Sequence, residues 1–282
     1  MMRGMFAAIS GLKNHQVMLD VTANDIANVN TIGYKSARTT FKDSLTQMQR
    51  GASGAGGGTG GANAAQIGLG TQLGSIDNLM TSGALQSTGN PLDVAIQGPG
   101  FFRVATSTAT PPTPTALSAT DAGTEYTRAG NFTTNSDGYL VTQDGYYVQG
   151  LTAASGTSPT LLQIPADSTN VAIAQDGAVS YVDNAGARQT AGYLSLATFA
   201  NASGLERSGS NRWLRTANSG NAQLDTPGAN AGFTTSGAVE MSNVDLAQAF
   251  TTMITAQRGF QANSRIISTA DEMLQDLVNL KR

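Results

Sequence analysis

Histidine and cysteine chemistry is almost absent from this chain of 282 residues. The sequence contains one histidine, His15, and no cysteine. Thiolate nucleophiles, disulfides and cysteine metal ligands are therefore excluded, and a histidine-based catalytic triad would have to use His15. This residue stands beside Gln16 within a helical apolar pattern, so we expect a solvated helix residue and not a general base.

Carboxylates offer the remaining route to catalysis or metal binding. Asp137, Asp144 and Asp176 each precede a glycine, a pairing typical of tight turns, and no calcium-loop spacing accompanies them. We therefore expect turns at these positions. A glycosidase that uses two carboxylates stays open, because the separations among the 19 acidic residues cannot be read from sequence.

A glycine motif gives no better evidence for a cofactor. Gly56, Gly58 and Gly61 satisfy the pattern G-x-G-x-x-G. No strand is predicted before this motif and no helix after it, so no helix N-terminus would face a phosphate group. We predict a non-enzymatic protein with no catalytic residue, no cofactor and no metal site.

The composition narrows the classes of partner. Charged residues make up 12% of the chain and the formal net charge is −3, so no basic face for nucleic acid or anionic lipid is expected. No apolar stretch approaches the roughly 20 residues that a membrane-spanning helix needs. The first residues are also a poor secretory signal. We expect neither nucleic-acid binding, nor membrane insertion, nor a cleaved signal peptide.

Apolar residues repeat every seven positions near the C-terminus, which predicts a long helix over about 243–280. Ser242 with Asp245 forms a candidate capping box at its start, and Asn243 is a second N-cap candidate. Small residues at one of the two seam positions suit close packing against another helix. The first seam position holds Leu246, Met253, Phe260, Ile267 and Leu274, and the second holds Ala249, Ala256, Asn263, Ala270 and Leu277.

The N-terminal segment carries a similar pattern and predicts a second helix that stops near Asn28, Asn30 and Gly33. Lone amphipathic helices gain little stability in water, so the two seams should pack on each other or on other subunits as self-assembly surfaces. If the helices run antiparallel with their ends level, polar Gln16 and Asn263 should meet. The N-terminal seam holds Met5, Leu12, Leu19 and Ile26 in one row and Met2, Ile9, Gln16 and Ala23 in the other.

Short alternating runs between Gly, Asn and Asp predict an antiparallel β domain between the helices. Runs on both sides of Asp144-Gly145 and Asp176-Gly177 predict hairpins with two-residue type I′ turns. Segments 51–61 and 105–122 have low complexity and should be mobile loops.

The predicted fold class is α+β, in which long N- and C-terminal coiled-coil-like helices pack together and a mainly antiparallel β domain is inserted between them. We predict three regions along the chain. They are a helical core of residues 1–30 and 243–282, an extended connecting region of residues 31–75 and 216–242, and a β domain of residues 76–215.

The segment 24–35 resembles the N-terminal signature of the flagellar rod and hook proteins, with Asp25 in place of the usual asparagine. Runs at 87–98, 100–102, 127–132 and 241–246 follow the order of that family. The resemblance therefore covers most of the chain. The signature positions are Asn24, Ile26, Ala27, Asn28, Asn30, Thr31, Gly33 and Lys35.

This resemblance favours the hook protein in a short form with one β domain, because residues 259–261 read Gly-Phe-Gln where rod proteins tend to have Ala-Tyr-Glu. It implies export through the flagellar type III apparatus, an extracellular location, and head-to-tail assembly into a helical tube that acts as a flexible joint. The implied partners are further copies of the chain, the rod, the hook cap and the hook–filament junction proteins. The distal rod protein is the alternative, and a secreted cell-wall hydrolase is a third.

Overall fold

The computed structural model describes residues 2–54, 60–106, 123–153, 159–165 and 167–280. Within these ranges the chain forms two long helices and a large, mostly antiparallel set of strands, so the predicted α+β class is confirmed. The chain divides into two compact units. The first comprises Met1–Ala27, Ala37–Asn78 and Asp245–Arg282, and the second comprises Asn28–Ser36 and Leu79–Val244.

The first unit contains both helices and a two-stranded ribbon. Helix α1 ends before Asn28, as the sequence predicts. Helix α2 begins after Asp245, whose side chain accepts hydrogen bonds from the backbone N–H groups of Ala247 and Gln248 and so acts as the N-cap. The elements of this unit are α1 (Met2–Ala27), β1 (Ala37–Asp43), β2 (Thr46–Arg50), β3 (Ala65–Gly68), β4 (Thr71–Asn78) and α2 (Leu246–Asn279).

The ribbon is continuous along its length. Strand β1 pairs with β4 and strand β2 pairs with β3, both antiparallel. Backbone bonds from Ser44 N to Gly70 O and from Leu69 N to Leu45 O join the two ladders. The glycine-rich segment 51–61 lies at the far end of this ribbon, and its residues 55–59 lie outside the described part. Most of segment 105–122 lies outside it as well.

The second unit is built almost entirely from antiparallel strands. Strands β7 to β19 form one large sheet, whose main path runs β13-β14-β15-β11-β7-β8-β18-β17, while β5 pairs with β21 and β6 with β20. The predicted connecting segment 216–242 contains the last three strands. The strands are β5 (Leu85–Ser87), β6 (Val94–Gln97), β7 (Phe101–Ala105), β8 (Thr124–Thr127), β9 (Thr133–Thr134), β10 (Leu140–Val141), β11 (Tyr147–Leu151), β12 (Pro159–Leu161), β13 (Thr169–Ile173), β14 (Ala178–Val182), β15 (Arg188–Leu194), β16 (Leu196–Thr198), β17 (Glu206–Gly209), β18 (Arg212–Leu214), β19 (Gln223–Asp225), β20 (Phe233–Ser236) and β21 (Ala238–Glu240).

Two main apolar clusters form the core of this unit, beside a small third cluster whose buried members are Ala105 and Leu161. The larger one includes Phe102 and Phe132, whose rings meet edge to face with centroids 5.0 Å apart. The smaller one includes Tyr126 and Trp213, the latter being the only tryptophan of the chain. Each fully buried large side chain contributes about 1.5–3 kcal/mol to folding. The core therefore lies inside the β unit, between the inward faces of its strands.

The hairpin turns differ from the predicted type. At Asp144-Gly145 the N–H of Gly145 donates to Thr142 O, and only Gly145 has a positive φ, of +81°. This is a type I turn followed by a glycine bulge, and Asp176-Gly177 repeats it, so the type I′ prediction is wrong. A type I′ conformation occurs instead at Ser210-Asn211, where both residues have positive φ.

Gly130 and Gly145 provide a test of why glycine is needed at each position. A methyl group at Gly130 would overlap the carbonyl oxygen of Val94, whereas Gly145 faces open space and needs glycine only for its φ. We expect Gly130→Ala to lower the free energy of unfolding by about 3 kcal/mol, because the overlap involves backbone. Gly145→Asn should cost about 1 kcal/mol or less, since asparagine tolerates this conformation. Urea unfolding of the monomer measures both, and equal losses would contradict the steric explanation.

Candidate functional site: the terminal helices and a buried charge cluster

The predicted seam of α2 coincides with its least exposed face. From residue 249 to residue 274, each seam position is buried or half-buried, and most other positions are exposed. Leu246 and Leu277, at the two ends of the seam, are 40% and 51% exposed. The heptad pattern therefore identified the face that α2 turns inward. Knobs-into-holes packing and a role of the seam in assembly stay predictions.

The inward face of α1 is broader than the heptad pattern predicts. Met5, Ile9, Leu12, Leu19 and Ile26 are half-buried, as expected for a seam. The second row is only partly correct, since its members Gln16 and Ala23 are exposed, and the buried positions are Ala8, Asn14, Thr22 and Asp25.

The two helices run antiparallel, and two glycines mark their contact. A methyl group at Gly11 would lie 2.7 Å from Nδ2 of Asn263, and one at Gly259 would contact the imidazole of His15. Asn263 therefore meets Gly11 and not Gln16, so the predicted polar pair is wrong. The helix ends are not level: by this register Met2 lies at about the height of residue 272, and the last turns of α2 extend beyond α1.

His15 is not the solvated helix residue that the sequence predicts. It is half-buried, and its ring lies edge-on to Phe41 of β1, with centroids 6.1 Å apart. On the same helix, Asn14 donates to the hydroxyl of Thr71 in β4 at 2.9 Å. The position of His15 is explained by packing among α1, α2 and the ribbon.

The flagellar signature spans the end of α1 and the start of the second unit. Asn24, Ile26 and Ala27 form the last turn of α1, and Asn28 to Lys35 belong to the second unit. The hydroxyl of Thr31 donates to the Asn28 side chain at 3.1 Å and closes the turn after the helix. Asn30 is exposed beside this turn.

Gly33 is required by its backbone conformation and by its surroundings. Its φ is +69°, and a methyl group there would lie 2.6 Å from the backbone nitrogen of Ala129. The N–H of Gly33 donates to the carbonyl oxygen of Glu240 at 2.8 Å. This close approach of three segments explains a glycine at this signature position.

Lys35 ends in a buried charge cluster centred on Glu240. Its ammonium lies 2.6 Å from Glu240 Oε1, and the Arg128 guanidinium lies 3.0 Å from Glu240 Oε2. The Lys35 ammonium also donates to the carbonyl oxygen of Thr81 at 2.8 Å, and Gly83 N donates to the carboxylate at 2.9 Å. All three charged side chains are at most 3% exposed.

Burial lowers the pKa of Lys35 below its usual value, and the neighbouring Glu240 carboxylate opposes this shift. A third cation, Arg207, stacks 5.0 Å from the ring centroid of Tyr34 and donates to the carbonyl oxygen of Lys35. Glu240, Arg128 and Arg207 were missed by sequence reasoning. A usable signal was the single acid at the end of the apolar run Ala238-Val239 in a chain poor in charge.

Two of the three carboxylates that the sequence offered for chemistry, those of Asp144 and Asp176, have turn or pairing roles, and Asp137 lies in a turn through its backbone N–H, which donates to Asn135 Oδ1. Asp176 Oδ1 accepts from Ala178 N at 3.1 Å, and Asp144 pairs with Arg212 at 2.6 Å. Arg212 also pairs with Glu125 and borders a cavity of about 400 Å³ with Asn30, Thr31 and Asn211. No group of three or more acidic or histidine side chains in the described ranges could hold a metal ion.

Replacing Glu240 tests the buried cluster. Glu240→Gln keeps the shape but leaves two buried cations without a carboxylate, so we expect the free energy of unfolding to fall by about 3–5 kcal/mol. Glu206→Gln, at an exposed position, should change it by about 0.5 kcal/mol or less. Urea unfolding followed by Trp213 fluorescence measures both. A loss below about 1 kcal/mol for Glu240→Gln would show that the cluster contributes little.

Three family models match successive parts of the chain. Residues 5–35 match the flagella basal body rod protein model, residues 95–181 match the flagellar hook protein FlgE/F/G D1 domain, and residues 235–280 match the flagellar basal body rod FlgEFG protein C-terminal model. The first matches most of α1, the third contains α2, and the second lies within the β unit, from β6 into β14. In the described part of the chain, neither helix is long and apolar enough to cross a membrane.

Whole proteins align over the full length. The flagellar basal-body rod protein FlgG of Bacillus subtilis (strain 168) is 49% identical, with 100% of both chains covered. FlgG of Caulobacter vibrioides is 38% identical over 99% of this chain and 100% of that protein. The flagellar hook protein FlgE of Borreliella burgdorferi is 28% identical over 441 aligned positions, with 100% of both chains covered.

These matches agree with the terminal helices, the signature around Lys35 and the β unit between them. Full-length identity of 49% to a flagellar rod protein is well beyond what a shared fold alone would need. The chain belongs to the family of flagellar rod and hook axial proteins, which are structural proteins.

Proposed function

We propose that this chain is a subunit of the distal flagellar rod, which polymerises head to tail into a helical tube and transmits torque. The observation that carries the proposal is the full-length match to rod proteins named FlgG, at 49% identity without a large insertion on either side. Rod and hook proteins polymerise into axial structures, and a head-to-tail contact that does not close gives an open helix.

The hook remains a second candidate function, as the resemblance first indicated. Gly-Phe-Gln at 259–261 favours it, and so does the glycine-rich end of the ribbon, because glycine retains wide conformational freedom. The hook proteins align at 28% identity over 441 or more positions, although this chain has 282 residues. The size and identity together support the rod over the hook.

The exposed apolar residues of α2 support a role in assembly. In this chain the seam faces α1, so the surfaces open to other subunits are the seam ends and a second set of apolar residues. Contiguous exposed apolar surface marks interaction sites. The seam ends are Leu246 and Leu277, and the second set comprises Phe250, Ile254, Ile266, Met273, Val278 and Leu280.

One face of the ribbon supplies a further apolar surface. Leu45 and Leu69 are cross-strand neighbours, and Ile67 lies two residues from Leu69 on the same face. Their exposed fractions are 76%, 39% and 41%. Because a lone two-stranded ribbon is marginally stable in water, contact with a neighbouring subunit would stabilise it.

The cellular setting follows from the family and is part of the proposal. The subunit is exported by the flagellar type III apparatus and is assembled outside the cytoplasm. Its neighbours are further copies of itself and other axial proteins of the flagellum. The hook cap and the hook–filament junction proteins would be partners only if the second candidate is correct.

Truncation tests assembly through the helices. We expect a chain that lacks residues 245–282 to keep a folded β unit and to lose filament growth, because α1 then has no helix to pack against. The buried side chain of Trp213 reports folding through its emission maximum, and electron microscopy reports growth. A chain that lacks only Lys281 and Arg282 is the control and should assemble. Normal tubes from the longer truncation would contradict the proposal.

Alanine substitution in the ribbon end distinguishes rod from hook. We expect tubes of the unaltered protein to be straight and to stay straight when Gly54, Gly56, Gly57, Gly58 and Gly60 are changed together to alanine. Curved tubes that straighten on substitution would instead support the hook, because alanine reduces backbone freedom. Ala52→Gly with Ala62→Gly is the reverse control and should not stiffen the tube. Curvature is measured on purified tubes.

A further inference from the structure

The chain passes between its two units at four points, and one side chain ties three of them together. The crossings follow Ala27, Ser36, Asn78 and Val244. Asn243, next to the last crossing, accepts a hydrogen bond from Ser36 N at 2.7 Å and donates to Leu79 O at 2.9 Å. Leu79 N in turn donates to Ser36 O at 2.9 Å.

These three segments are joined a second time, one to four residues further into the β unit. Lys35 and Gly83 both donate to the Glu240 carboxylate. The carbonyl oxygen of Thr81 accepts from Lys35 at 2.8 Å and from the Asn243 amide at 3.3 Å. The amide bonds of Asn243 therefore continue the network of the buried charge cluster up to the residues where the chain leaves the unit.

Capping of helix α2 does not explain the role of the Asn243 side chain. The sequence made it a candidate N-cap, but the cap of α2 is Asp245, which accepts from Ala247 N at 2.9 Å and from Gln248 N at 3.2 Å. The Asn243 amide instead makes hydrogen bonds to segments more than 160 residues earlier in the chain. Its donor and acceptor atoms are all used within the β unit.

We propose that Asn243 is a mechanical clamp, which makes three chain crossings carry load together. Force that travels along the backbone into the β unit arrives at the ends of these segments. If the segments were independent, their hydrogen bonds would open one at a time from the crossing inward. Because Asn243 ties Ser36 and Leu79 to its own strand, the bonds are loaded together and yield only together.

This inference concerns force within one subunit. It goes beyond the proposed function and is the same for a rod and for a hook. Its test uses full-length monomer, so a failure of the assembly proposal would leave the result unaffected.

Amide hydrogen exchange tests the ties themselves. Asn243→Ala removes all of the side-chain hydrogen bonds of this residue. We expect hydrogen exchange of the backbone N–H groups of Ser36 and Leu79 to accelerate at least about tenfold. Asn243→Asp keeps the acceptor for Ser36 N, so Ser36 should stay protected, and it loses the donor to Leu79 O. The N–H of Leu79 donates to Ser36 O, so its faster exchange would report that the Leu79 segment is no longer held in place. Asn201→Ala is the matched control, because that exposed amide bonds Asn218 O far from the crossings. It should alter either rate by less than about twofold.

Single-molecule pulling tests the clamp, and the absence of native cysteine allows two handles to be placed freely. With handles at Gln257→Cys and Ala185→Cys, force passes through the crossings, and Asn243→Ala should raise the yielding rate at fixed force at least about tenfold. With handles at Gln143→Cys and Ala185→Cys, both inside the β unit, it should change the rate by less than about twofold. An unchanged rate in the first geometry, or equal acceleration in both, would overturn the clamp.

Discussion

A carboxylate that becomes buried during folding must be paired with its counter-charges as it loses contact with water. This requirement constrains how the β unit folds. Glu240 is fully buried between Lys35, which is 205 residues earlier, and Arg128, which is 112 residues earlier. Breaking such a cluster leaves uncompensated charge, although the intact cluster gains little over an apolar one. Closing chain loops of this length costs entropy before any contact forms. The β unit therefore completes its fold only when almost the whole chain, from Lys35 to Glu240, is present.

The helix pair is specified by shape more than by apolar area. Asn263 fills the space that Gly11 leaves, and His15 fills the space that Gly259 leaves, so each glycine faces a larger polar residue of the other helix. A slip of four residues that brings Asn263 against His15 would place Gly11 opposite Ile267 and Gly259 opposite Leu19, so both of these matched pairs would be lost. Two such pairs, four residues apart on each helix, disfavour other registers in the way that buried polar residues do in coiled coils.

Features that depend on the local periodicity of the chain, such as the buried face of a helix, could be predicted from the sequence. Features that depend on partners far along the chain could not. The heptad repeat identified the inward face of α2, because burial and period are linked on a single helix. It could not identify the register, which depends on Gly11 and Gly259 and not on apolar residues. Asp-Gly signalled turns correctly, but type I′ turns and type I turns with a glycine bulge share this signal.

Only part of the buried charge cluster could be predicted from the sequence. Lys35 was singled out by resemblance, while Glu240 lies so far along the chain that no spacing rule connects the two. The role of Asn243 could not be predicted either. Its residue type suits a helix N-cap, but the N-cap of α2 is Asp245, two residues later. Hydrogen bonds made across the fold decided both cases. The signature residues Gly33 and Lys35 are thus explained by close packing and charge pairing within the β unit.

The register of the two helices also decides where the chain can carry an added label. Because α1 and α2 run antiparallel and Met2 lies at about the height of residue 272, the start of α1 and the last turns of α2 are at the same end of the first unit. A fluorescent protein fused to either terminus would therefore crowd the uncovered apolar turns of α2. The turn that ends at Gly186, which has a φ of +79° and open space around it, is the better place for a dye or an inserted epitope.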